Sequence, residues 1–189
     1  MKLHILGASG SGVTTLGNTL RSQLGIPYFD SDEYFWIKTE PPFIQRRIPE
    51  ERNNLIINDL KVDNWILGGS VINWGKNIFP KFDLIVFLYI PQGLRIERLK
   101  NREYKRYGDL IYTNPDRARQ FNNFILWASD YDENSGIANR TLKAHRNWLK
   151  GQSSPVLELV GDFSTQGRIN QIIEKLKEEK LLPTTAKKQ

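Results

Sequence analysis

Short apolar runs alternate with longer amphipathic ones along this chain. Residues 2–6, 26–30, 65–68, 84–89 and 156–159 are short, largely apolar stretches, bounded by glycine, proline or polar residues. Runs of that length with few charges predict strands buried on both faces. Between them the apolar spacing stretches to three and four. Leu16, Leu20 and Leu24 share one face of a helix predicted over 14–24, and Ile169, Ile172, Ile173 and Leu176 mark a closing one. Further helices are expected over 49–60, 92–106 and 138–148. Asn114-Pro115 reads as an N-cap followed by proline at the first helical position. The helix after it carries Ala118, Phe121, Phe124, Ile125, Ala128 and Tyr131 along one side. Strands alternating with helices predict an α/β fold, a five-stranded parallel sheet covered on both faces. Ligands of such sheets bind at the carboxyl ends of the strands, where Gly7, Asp30, Asp32, Gly69, Ser70 and Pro91 fall.

The strongest chemical signal follows the first strand. Gly7-Ala8-Ser9-Gly10-Ser11-Gly12-Val13-Thr14-Thr15 matches a phosphate-binding loop, G-x-x-x-x-G-K-[ST], with Val13 in place of the lysine. Strand, glycine-rich turn and helix are the setting such a loop requires. Its glycines let successive N–H groups converge, and the helix start adds partial positive charge. These bind phosphate without a side chain, and Thr14 is placed to offer its hydroxyl to magnesium. Missing is the ammonium that neutralises the outer phosphates. A cation on a transferring phosphoryl group can be worth roughly 10³–10⁵ in rate when an arginine finger supplies it. The loop therefore argues for nucleotide binding more strongly than for turnover.

Composition narrows the rest. With no cysteine, neither disulfides nor thiolate chemistry is available. His4 and His145 are isolated, so no histidine metal site is expected. No run reaches membrane-spanning length and no signal-peptide pattern opens the chain, so a cytoplasmic protein without a membrane partner is expected. The net charge of +6 is carried in part by arginines between Arg95 and Arg119. A small polyphosphate accounts for those as well as a polynucleotide, and no nucleic-acid partner is expected. One domain over 1–182 is predicted, with a frayed polar tail at 183–189.

With the loop, Asp30-Ser31-Asp32, Gly68-Gly69-Ser70 and the arginine-rich helix in view, the chain resembles the small P-loop kinases. Shikimate kinase and the adenylate kinase-type nucleoside monophosphate kinases are similar, as is a bacterial group of uncharacterised adenylate kinase-like proteins. Trp127-Ala128-Ser129-Asp130-Tyr131-Asp132 resembles that last group. The resemblance implies a P-loop NTPase-type three-layer αβα sandwich, with an acceptor-binding insert at about 34–60 and a lid at about 98–120. It further implies an ATP- and Mg2+-dependent phosphotransferase acting on a small acceptor, as a monomer or homodimer. The alternative is a nucleotide-binding protein or slow ATPase without transferase activity.

Roles follow residue by residue. By the resemblance Asp32 meets the acceptor and serves as hydrogen-bond acceptor or base, while Asp30 holds magnesium through water. Gly68, Gly69 and Ser70 would let the acceptor approach the backbone. Arg46, beside Arg47, could clamp an acceptor carboxylate or phosphate. Arg98, Arg102 and Arg106 recur every four residues on one helical face. Arg98 and Arg102 are the expected phosphate ligands and would offset the absent lysine. The turn at 161–164 is expected, again by resemblance, beside the adenine. Trp36 and Trp74 lie near the expected acceptor pocket.

Overall fold

The most apolar runs form the middle of one parallel sheet in the computed structural model, which describes residues 1–75 and 77–182. The tail expected to fray at 183–189 lies outside the described residues. Strand β1 (Lys2–Gly7) is central, between β3 (Trp65–Gly68) and β4 (Leu84–Tyr89). Strands β2 (Tyr28–Asp30) and β5 (Val156–Val160) form the edges, giving the order β2-β3-β1-β4-β5. All four pairings are parallel.

Because side chains alternate across a strand, the central strands feed two cores. Leu3 and Ile5 of β1 and Leu84, Val86 and Leu88 of β4 pack under α1 (Val13–Leu24) and α8 (Thr165–Glu178). Leu6, Leu67, Ile85 and Phe87 face the other way. There they meet Ile56 of α3 (Pro49–Asp59) and Leu149 of α7 (Leu142–Lys150). This is the expected three-layer arrangement. The short α2 (Ser31–Phe35) follows β2 directly. Helix α4 (Gln92–Tyr107) follows β4, and α5 (Leu110–Thr113) and α6 (Pro115–Glu133) complete that flank.

Two boundaries differ from the sequence expectation. Strand β2 begins at Tyr28 rather than at residue 26. The Pro27 carbonyl still accepts from the Ile66 N–H at 2.9 Å, but proline has no N–H to return. Helix α7 begins at Leu142 rather than at residue 138. Thr141 caps it by accepting from the Ala144 N–H, and the residues before it are held as a loop by Asp130.

Both histidines are interior. His4 stacks on Phe82 with ring centroids 4.8 Å apart, and its Nδ1 lies 3.1 Å from the Leu67 carbonyl oxygen. Burial pushes its pKa down to about 3, and burial followed by Arg140 pushes His145 down to about 4. Unfolded, each takes a proton near pH ~6.5. The unfolded chain therefore binds more protons across that window, and stability is lost as pH falls from 6.5 towards the folded values. Urea unfolding should show the midpoint dropping between pH 6.5 and 5, with each histidine contributing up to about 1.4 kcal/mol per pH unit. A flat midpoint over that range would contradict the interior, neutral state of both rings.

Candidate active site

The phosphate loop leaves β1 at Gly7 and tightens at once, with the Ser11 N–H donating to the Ala8 carbonyl at 3.1 Å. Gly12, at φ +92°, starts α1, and its carbonyl accepts from the Leu16 N–H. Gly10 has φ +81°, and a Cβ there would stand 2.8 Å from the Arg95 carbonyl oxygen. Only glycine fits that turn without strain. Gly10→Ala is expected to weaken MgATP binding about tenfold, since forcing a residue into such a conformation costs roughly 1–3 kcal/mol. Calorimetric titration of the variant checks this. Val13 is half-buried: it lines the mouth of the loop, and its side chain also packs against the apolar core beneath α1.

The loop opens into a cavity of about 1140 Å³ at the carboxyl ends of the strands. That exceeds the ~300–1,000 Å³ typical of a single small ligand and leaves room for two reactants. Gly7 to Gly10 and Gly12 to Thr15 line it, while Ser11 is fully buried beneath. Asp30 is fixed at the mouth of the loop. Its carboxylate accepts from the Thr14 hydroxyl at 2.9 Å, the Tyr28 hydroxyl at 3.1 Å and the Asp32 N–H at 3.0 Å. The last bond caps α2. Thr14 and Asp30 thus form an adjacent pair of hard oxygen donors, the chemistry magnesium prefers. Among the described residues no three His, Cys, Asp or Glu side chains gather around a metal position.

Asp32 lines the cavity and is itself exposed, while the surrounding walls crowd its carboxylate. That desolvation, followed by the Asp30 charge, raises its pKa above the ordinary carboxylate range, against the pull of Arg140 and Arg102. A raised pKa suits a group that must take a proton.

The arginines divide by environment. Arg98, Arg102 and Arg106 of α4 line the cavity, as their spacing predicted. Arg95, one turn earlier, is buried and pairs with Asp132, and its guanidinium also reaches the Ile90 and Ser9 carbonyls. It braces the loop from below and is not part of the exposed stripe. Arg46 does not line the cavity. Its guanidinium stacks over the rings of Phe35 and Trp36 at 5.6 and 5.7 Å, and Arg47 pairs with Glu51 at 2.8 Å. Trp74 is buried in the second core, under Arg52 at 4.1 Å.

Arg140, which sequence reasoning missed, joins Arg102 among the cations near Asp32. It lines the cavity, stacks on Phe35 at 4.8 Å, and has no carboxylate within ion-pair distance among the described residues. Its loop is stapled by Asp130, a buried carboxylate that accepts from the N–H groups of Ala138 and Ser135, each at 2.7 Å, and from the Ser135 hydroxyl. Those donors, Ala138 first, hold the Asp130 pKa below the usual range. Tyr131 meanwhile meets His145 Nδ1 at 2.8 Å, and Ser70 meets His145 Nε2 at 2.9 Å. Gly69 and Ser70 line the cavity, whereas Gly68 remains inside β3 against the Tyr28 ring. The segment from Trp127 to Asp132 thereby ties together Arg95, His145 and the Arg140 loop.

No family model matches the sequence. It is 40% identical over 175 residues to "Uncharacterized protein YqaC" of Bacillus subtilis (strain 168), covering 92% of this chain and 96% of that protein. The chain belongs to the YqaC family. A shikimate kinase of Actinobacillus succinogenes is 27% identical over 179 residues, covering 85% of this YqaC-family chain and 95% of the kinase. Solved structures of kinases share its fold. Shikimate kinase from Bacteroides thetaiotaomicron matches with a TM-score of 0.53 at 18% identity, covering 93% of this chain and 97% of that one. Deoxyadenosine kinase from M. mycoides matches with a TM-score of 0.52 at 14% identity, covering 94% and 100%. The YqaC-family chain therefore has the P-loop kinase fold. No described helix is long and apolar enough to cross a membrane.

Proposed function

We propose that this YqaC-family protein transfers the γ-phosphoryl group of ATP to a small hydroxylated acceptor. The observation that carries the reading is the meeting, in one cavity, of the phosphate loop, the Thr14–Asp30 pair and the desolvated carboxylate of Asp32 beside Arg140. The loop amides hold the polyphosphate. Thr14 and Asp30 would hold magnesium, which would supply charge neutralisation to the phosphates. Asp32 accepts the acceptor's hydroxyl proton as its oxygen attacks phosphorus and ADP departs. Arg140 orients the acceptor, and the Gly69-Ser70 turn presents backbone and a hydroxyl to it. Arg98 and Arg102 approach the polyphosphate from α4.

Closure is part of the proposal. The hairpin around Phe43, which is tied by the Ile37 N–H to Gln45 carbonyl bond at 2.9 Å, supplies the acceptor wall. Arg106 stacks over Phe43 at 5.8 Å, so the end of α4 already touches that wall. The segment from 98 to 120 is read as the lid and 34 to 60 as the acceptor insert. Shikimate and deoxyadenosine, named for the fold's relatives, set the acceptor classes to try first.

A second reading, nucleotide binding or slow ATP hydrolysis without transfer, is favoured by Val13. An ADP-release screen over nucleosides, nucleoside monophosphates and small hydroxy acids, with an acceptor-free control, separates the two. Acceptor-dependent release supports transfer. Release that no acceptor accelerates supports the ATPase.

A further inference from the structure

Val13 raises a question of charge that α8 answers. Arg168, in the first turns of α8, is only 5% exposed, yet it lines the cavity. Its Nη1 donates to the Ser11 carbonyl at 2.7 Å and lies 3.1 Å from where a side chain on Gly12 would begin. Of the cations lining the cavity, it alone hydrogen-bonds the phosphate loop among the described residues. Its carboxylate neighbour is Asp162, at 3.8 Å, and that carboxylate is also paired with Arg98. Two guanidiniums thus share one carboxylate, leaving a net positive charge against the loop. Arg95 differs, because Asp132 neutralises it.

We propose that Arg168, with Arg98 across Asp162, supplies from α8 the positive charge that the phosphate loop lacks at Val13. Two effects act together. The peptide between Ser11 and Gly12 is planar and trans, so pinning the Ser11 carbonyl towards Arg168 turns the Gly12 N–H the opposite way. The Arg168 guanidinium lies behind that peptide, largely removed from water, where its own charge is weakly screened, while Arg98 and Asp162 are partly exposed. Arg168 is a positioning residue for the loop and a source of field, not a catalytic residue. The inference rests on the reading that the loop binds a nucleoside triphosphate.

Calorimetric titration with MgATP tests it on four proteins. Arg168→Gln is expected to weaken binding about tenfold, and Val13→Lys added to that variant restores it to within about threefold of the parent. Asp162→Asn removes the compensating carboxylate and is expected to tighten binding at least about threefold, a sign that a merely structural role does not produce. Asp162 is 41% exposed on its side chain, so this variant decides the matter even if Arg168→Gln does not fold. Failure of Val13→Lys to restore binding, or an Asp162→Asn protein that binds no tighter than its parent, overturns the proposal. Absence of MgATP binding by the parent protein instead removes the nucleotide reading beneath it.

Discussion

Asp32→Asn is expected to lower phosphoryl transfer by about 10²–10⁴-fold while leaving MgATP affinity within about threefold, the signature of losing a positioned base rather than a binding contact. Asparagine keeps the shape of the side chain but cannot take the acceptor's proton. The backbone N–H of Asp32 still caps onto Asp30, so α2 is unaffected. Partial desolvation by the cavity walls, followed by the Asp30 charge, holds the Asp32 pKa above the usual carboxylate range. The acid limb of kcat/KM should accordingly lie at a higher pH than an ordinary aspartate gives, with activity rising as Asp32 deprotonates. The same shift has a stability consequence. A group whose folded pKa is raised stabilises the fold most below its unfolded pKa and loses that contribution as pH rises through the folded value. At neutral pH charged Asp32 therefore works against folding, and Asp32→Asn should melt higher than the parent at pH 7.5, with the difference closing in acid. Parallel thermal melts and initial rates read both effects. Retained transfer, or a lower melting temperature, would remove Asp32 from the role assigned to it.

Arg140→Met should reduce kcat/KM for the acceptor by roughly 30- to 1000-fold, the range expected when one partner of a desolvated charged contact is truncated. Its effect on the KM for ATP should stay within about threefold. Burial lowers the Arg140 pKa, opposed by Asp32, so this guanidinium is held in a site that does not fully hydrate it. Methionine keeps the packing over Phe35 without the charge. Arg46→Ala provides the contrast. That residue lies outside the cavity, stacked on Phe35 and Trp36, and its loss should change acceptor kinetics less than about twofold. Steady-state kinetics with the acceptor found by the ADP-release screen distinguish the two. An equal loss from both would remove the acceptor contact assigned to Arg140. Removing Arg140 also removes a charge that pulls the Asp32 pKa down, so the acid limb should move upward in the variant.

The boundaries that sequence reasoning missed have local physical causes. A proline without an N–H shortened β2, and a carboxylate staple displaced the start of α7. The four-residue recurrence of Arg98, Arg102 and Arg106 was a reliable guide because helical geometry alone sets which residues share a face. The same rule could not show that Arg95, on nearly the same face, turns inward. That depended on Asp132 and the Ile90 carbonyl, groups supplied by other elements.

The sequence by itself determined the parallel sheet, the phosphate loop, the Asp30–Asp32 turn and the substitution at Val13. Each is written in neighbouring residues, through periodicity, glycine placement or a contiguous motif. Only the tertiary structure brought Arg140 and Arg168 to the site beside the arginines of α4. Arg140 lies 108 positions from Asp32, and Arg168 lies 157 from Ser11. No local pattern links residues so far apart, because their proximity comes from strand order and from helices packing over the sheet. Arg46 shows the converse, since a position within the segment expected to bind the acceptor did not bring its charge into the cavity once two aromatic rings had taken up the guanidinium.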